Sequence, residues 1–171
     1  MFVYEIFRVL LKHMLEGSIT KMKITKFKLL VLIIAGLFLF QVYKNLSIPN
    51  TVGVESGDFK PLKESPNGVS SQTSNIEKKV SPLEMNASVP VAIESIKRQI
   101  LSYDNTKLIK ESDNYLHFVF TTKGFHFKDD VEFYFDSKNN IIDFKSQSRI
   151  GYSDMGVNKE RYEMIKSDFE E

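Results

Sequence analysis

Leu29 to Phe40 reads LLVLIIAGLFLF, twelve residues in succession without a polar side chain. Few folds can absorb such a run, because a helix buried in a water-soluble core normally keeps a polar stripe and this one has none. Extended through Gln41-Val42-Tyr43, and back over Lys28 to Phe27, the stretch covers residues 27–43. A bilayer core about 30 Å thick is crossed by ~17–25 helical residues, so 27–43 reads as a short transmembrane helix or the apolar region of a signal peptide. Cleavable signals end in small residues. Here the exit is the bulky Phe40-Gln41-Val42-Tyr43-Lys44-Asn45-Leu46. The expectation is an uncleaved signal-anchor whose partner is the lipid bilayer; cleavage beyond Ser47 is the alternative.

Charge supplies the orientation. Lys21, Lys23, Lys26 and Lys28 precede the run closely, and Lys44 alone follows it. The positive-inside rule keeps residues 1–26 in the cytoplasm and exports the remainder. In a two-membrane bacterium this is a single-pass inner-membrane protein with its C-terminal domain in the periplasm. Residues 1–44 hold seven bases and two acids, leaving 16 bases and 20 acids beyond them. That acidic remainder lacks the clustered Lys/Arg needed to displace counterions from phosphates, so no nucleic-acid partner is expected.

The first 21 residues place Phe2, Ile6, Val9, Leu10 and His13 near one helical face. They read equally as an interfacial helix or as sequence ahead of a true start at Met22. With no cysteine in 171 residues, a disulfide, a thiolate zinc site and a cysteine nucleophile are excluded. Three scattered histidines offer no ligand spacing, and neither a metal nor a cofactor is expected.

Residues 44–86 contain four of the five prolines, with many Ser, Asn and Gly residues and no sustained period. They read as a flexible linker. Residues 87–171 are regular. Ser88-Val89-Pro90 is a helix start, and Ile93, Ile96, Ile100 and Leu101 form an apolar stripe over a helix at 89–102. Four strands are predicted next, at 106–111, 114–122, 130–136 and 141–150. Leu116, Phe118, Phe120, Val131, Phe133, Phe135, Ile142 and Phe144 alternate with Tyr115, His117, Asp130, Glu132, Asp143, Lys145, Gln147 and Arg149. Period-two alternation predicts an antiparallel meander with one dry and one wet face. A helix near 158–169 offers Tyr162, Ile165 and Phe169 as cover. The expected fold class is α+β: helix, four-stranded antiparallel meander, helix, preceded by a transmembrane helix and a flexible linker.

Three blocks are more particular than this pattern: Ser65-Pro66-Asn67-Gly68-Val69-Ser70-Ser71-Gln72, Asp129-Asp130-Val131-Glu132-Phe133, and Ser148-Arg149-Ile150-Gly151-Tyr152-Ser153-Asp154-Met155-Gly156-Val157-Asn158. In this order they closely resemble domain-of-unknown-function family 1499 over residues 55–169. The resemblance implies an exported or membrane-anchored protein of bacteria or plastids, and implies no reaction. Many relatives carry Cys-Pro-x-Ser-Pro-Asn-Cys in the first block, where this chain has Leu62-Lys63-Glu64-Ser65-Pro66-Asn67-Gly68. Joint absence of both cysteines implies a dispensable staple.

The candidate ligand-binding residues are Arg149, Tyr152, Ser153, Asp154, Asn158, Asp130 and His117. Two readings of the last block stay open. Arg149 and backbone N–H groups at the helix start hold an anionic head group or carboxylate. Alternatively, Asp154 or Asn158 caps the helix and Arg149 pairs with Asp154 or Asp130. A dyad of His117 with Asp130 or Glu132 would make the protein a small hydrolase. Asp129, Asp130 and Glu132 supply too few oxygens for calcium. No Gly-x-Ser-x-Gly elbow, phosphate loop or His-Glu-x-x-His helix occurs, and Ser70-Ser71 has no identifiable base. Seven phenylalanines between 118 and 144 read either as core packing or as the lining of an apolar cavity. The leading expectation is a non-catalytic envelope module that binds an amphiphilic or anionic ligand. A hydrolase and a protein-interaction scaffold are the alternatives.

Overall fold

The computed structural model describes residues 5–6, 8–9, 11–12 and 21–170. The chain divides into two units, Met1–Tyr43 and Lys44–Glu171. Phe2, Leu10 and His13, on which the interfacial-helix expectation depends, lie outside the described residues. The helix α1, Lys21–Leu46, contains one stretch long and apolar enough to cross a membrane, Lys26–Leu46. It stops three residues short of Pro49, whose ring would clash with a continuing helical backbone.

The unit Lys44–Glu171 is α+β, as expected, but with more strands than four. Its elements run β1 (Val54–Glu55), β2 (Asp58–Phe59), β3 (Gly68–Ser70), a 3-10 turn (Ile76–Lys78), β4 (Leu83–Glu84), α2 (Val89–Ser102), β5 (Thr106–Ser112), β6 (Tyr115–Thr121), β7 (Lys128–Asp136), β8 (Ile141–Ser148) and α3 (Val157–Glu170). The predicted meander is β5 to β8, which pair antiparallel in sequence order. Both β3 and β4 then pair antiparallel with the free edge of β8, making six strands. β1 and β2 form a separate hairpin, turned at Ser56 and Gly57 with φ of 55° and 96°. Positive φ at both central residues matches the twist of a two-residue hairpin. The extra strands all come from the stretch read as a flexible linker. Two- and three-residue strands are too short to display a period, so the reading missed them.

Helices α2 and α3 lie where they were expected. Pro90 occupies the first turn of α2, where a missing N–H costs nothing, although the Ser88 side chain makes no capping bond. Ala92, Ile93, Ile96 and Ile100 are buried, while Leu101 turns out to solvent. With Tyr162 and Ile165 of α3 they cover the apolar sheet face. Phe133 makes edge contacts with Phe118 at 6.1 Å and Phe144 at 5.4 Å. Each such ring contributes about 1.5–3 kcal/mol by leaving water. Thus Phe118, Phe133, Phe135 and Phe144 fill the core, whereas Phe125 and Phe127 stay exposed.

The opposite sheet face overturns the expectation of a wet surface. Tyr115, His117, Asp130, Glu132, Asp143, Lys145, Gln147 and Arg149 are all buried. Residues between 45 and 72 supply partners to this face through Asn45, Leu46, Thr51, Gly53, Lys60, Ser71 and Gln72. The charged layer is therefore internal.

Candidate functional site

Strand register sets the geometry of this charged layer. Asp130 and Glu132 project from β7 on the face that carries Tyr115 and His117 of β6, while Lys145 and Gln147 project from β8 and Arg149 follows it. Two ionic groups result.

In the first, the Arg149 guanidinium grips Asp130 with two prongs, Nε to Oδ2 at 2.8 Å and Nη2 to Oδ1 at 2.7 Å. His117 Nε2 lies 2.8 Å from the same Oδ1. Arg149 Nη1 donates to the main-chain oxygens of Asn45 and Leu46 at 3.1 and 3.2 Å. Burial pushes the Asp130 pKa upward, but hydrogen bonds from His117 and Arg149 outweigh it and hold the carboxyl below its ordinary value. An ionised Asp130 makes His117 Nε2 the donor.

In the second, Glu132 accepts from Tyr115 O–H at 2.7 Å, the Gly53 amide at 2.6 Å and Lys145 Nζ at 2.9 Å. Lys145 also donates to the carbonyls of Thr51 and Lys60. Burial draws the Lys145 pKa down, against the opposing pull of Glu132. The Tyr115 phenol is raised, first by burial and then by the Glu132 charge beside it.

The remaining predicted site residues do not join His117, Asp130 and Arg149. Tyr152 is 79% exposed. Ser153 is exposed, and its hydroxyl accepts the Met155 amide. Asp154 takes the capping role: its Oδ2 accepts from the Asn158 amide at 2.9 Å, and its Oδ1 from the Gly156 amide at 3.1 Å. Asn158 is fully buried and works as a hub. Its Nδ2 donates to the carbonyl of Asn67, to Ser148 Oγ and to Asp154, while its Oδ1 accepts from Arg161 and Ser146. Of the two partners expected for Arg149, the structure selects Asp130 over Asp154.

Several polar residues were missed by the sequence reading. Arg161 pairs with Asp129 at 2.7 Å and stands over the Phe120 ring at 4.7 Å. Asn67, fully buried, donates to the Gly151 carbonyl at 2.7 Å. Lys63 Nζ donates to the carbonyls of Ser148 and Arg149 at 2.8 Å. Its pKa is lowered by burial first and by the nearby Lys44 charge next. The only available signal was block membership: Asn67, Asp129 and Asn158 stand in the three particular stretches, and the fold brings those stretches together.

Chemically, a carboxylate bonded to a histidine can orient a general base. Here the Arg149 fork already occupies both oxygens of that carboxylate with charge-assisted hydrogen bonds. His117 is itself 2% exposed. Among the described residues no group of three or more His, Cys, Asp or Glu side chains is placed to hold a metal ion. A cleft of about 650 Å³ opens elsewhere, bounded by the β1–β2 turn, the Asp113-Asn114 turn and the β7–β8 turn.

Comparison with known proteins adds one match. A family model described as "Protein of unknown function (DUF1499)" covers residues 58–169. No curated protein and no solved structure matches the chain.

Proposed function

The chain belongs to the DUF1499 family, and we propose that it is a membrane-anchored, extracytoplasmic and non-catalytic module that engages an amphiphile. The apolar stretch Lys26–Leu46, with four lysines ahead of its centre and one behind, supports a single span with the N-terminus in the cytoplasm and the domain in the periplasm.

One observation carries the non-catalytic reading. Each oxygen of Asp130 is occupied by Arg149, and the donors of Arg149 are occupied in turn by Asp130, Asn45 and Leu46. With four of its five N–H donors engaged and only 3% exposure, this guanidinium presents little to an anionic ligand, so the amphiphilic half of the expectation is the better supported. Exposed Tyr152 and Met155 offer apolar contact at the end of β8.

A reporter fused after Glu171 tests the location; activity confined to the cytoplasm refutes it. Full-length protein extracted in mild detergent should retain an amphiphile that Tyr152→Ala releases. Lipid content equal in both refutes the binding. The 2.8 Å His117–Asp130 contact favours a hydrolase as the second reading. Ester or amide cleavage abolished by His117→Ala at unchanged stability would establish that reading instead.

A further inference from the structure

Two of the most exposed aromatic rings are adjacent. Phe125 and Phe127, at 64% and 43% exposure, stack at 5.4 Å with 10° between their planes at the tip of the β6–β7 hairpin. The loop is built to hold them outward. Thr122 and Phe127 exchange bonds, the Thr122 amide to the Phe127 carbonyl at 2.8 Å and the Phe127 amide to Thr122 Oγ1 at 3.0 Å. Between them Gly124 and His126 adopt φ of 88° and 55°. A left-handed histidine is an uncommon backbone state. The two rings it separates would each bury about 150–250 Å² if covered.

The position of this tip is informative. Asn45 Nδ2 donates to the His126 carbonyl at 2.8 Å, and Asn45 Oδ1 accepts from the Lys128 amide at 2.9 Å. Asn45 is two residues past Tyr43, about 3 Å of rise along the last turn of α1. Leu46 and Ile48, both exposed, flank this attachment. Lys44, Lys123 and Lys128 lie on the same segments, with Asp104 paired to Lys123 at 3.0 Å. Phenylalanine and leucine side chains bordered by lysine match the make-up of segments that lie in a membrane–water interface.

We propose that this end of the sheet is a lipid-contacting surface, in which Phe125, Phe127, Leu46 and Ile48 enter the interfacial layer of the bilayer that holds the N-terminal helix. It rests on the anchored reading above.

The chain contains no tryptophan, so each introduced one is a unique probe. Full-length Phe127→Trp, Leu37→Trp and Lys138→Trp would be reconstituted into phosphatidylcholine–phosphatidylglycerol vesicles. Lipids brominated near the headgroup or at mid-chain serve as quenchers. Lys138 lies in the β7–β8 turn, at the opposite end of the sheet from the hairpin tip. Phe127→Trp should emit to the blue of Lys138→Trp and lose intensity mainly to the shallow quencher. Leu37→Trp should lose intensity to the deep quencher, and Lys138→Trp to neither. If Leu37→Trp is quenched while Phe127→Trp remains water-like, the lipid surface is refuted and the anchor stands; the stacked pair would then be a protein contact. If Leu37→Trp escapes quenching, both readings fall. Phe125→Trp repeats the measurement should Phe127→Trp fail to fold.

Discussion

Arg149→Ala is the sharpest perturbation of the buried layer. Arg149 is 3% exposed and makes two bonds to a carboxylate that is equally hidden. Removing one partner of a buried ion pair costs about 3–5 kcal/mol, because the other charge is left without compensation. His117 remains bonded to Asp130 and softens that penalty. The abandoned carbonyls of Asn45 and Leu46 belong to half-buried and exposed residues, where water replaces the lost donor. The expected loss is therefore near the lower end, about 3 kcal/mol. For a domain of this size that is a fall in Tm of roughly 10 °C. Urea unfolding of the full chain in detergent should show a lower midpoint with unchanged slope. Arg149→Met combined with Asp130→Leu should recover most of the loss, since an apolar pair of similar volume is often neutral. A loss below about 1 kcal/mol for Arg149→Ala, the scale of an exposed pair, would refute the internal character of this layer.

Acid should weaken the same group. Asp130 is held below its ordinary pKa in the folded state, so its contribution is complete at neutral pH and is lost as pH falls below about 4 through the folded value. Urea midpoints measured down that range should fall more steeply for wild type than for Asp130→Asn; parallel curves would exclude the linkage. Gly68→Ala should cost about 1–3 kcal/mol through overpacking, because an added Cβ would sit 2.9 Å from the Ser146 carbonyl oxygen and 3.0 Å from Gln147 Cβ. A wild-type Tm would show that β3 can shift on β8. Asn158→Leu leaves the carbonyl of Asn67, Ser148, Asp154, Arg161 and Ser146 without a shared partner. Thermal unfolding should register a loss of roughly 2–4 kcal/mol, several buried polar groups being stranded at about 1–3 kcal/mol each.

The apolar half of this fold was legible and the polar half was not. Phe118, Val131, Phe133 and Phe144 announce their face by strict alternation, and Ile93, Ile96 and Ile100 by helical spacing, because side chains carry both signals. The same alternation assigned His117, Asp130 and Lys145 to water. What buries them is largely main chain: the carbonyls of Asn45, Leu46, Thr51 and Lys60 and the amide of Gly53. Every residue type offers a carbonyl, and every type but proline an amide, so the 45–72 segment bears no compositional mark of its role. The candidate site was half legible for the same reason. Arg149 with Asp130 was among the pairings anticipated, and Asp154 as a helix cap was too, whereas Lys63 reaching the carbonyls of Ser148 and Arg149 had no antecedent in the pattern.

The folding of residues 45–84 also replaces the flexible tether that composition alone suggests. As a random coil, some 40 residues would form a leash with a root-mean-square span of roughly 35 Å. Asn45 is instead stitched to the β6–β7 hairpin and Thr51 to Lys145. Residues 45–84 therefore belong to the folded unit itself, and a fragment begun at residue 87 would lack the partners that Arg149, Lys145 and Glu132 find there.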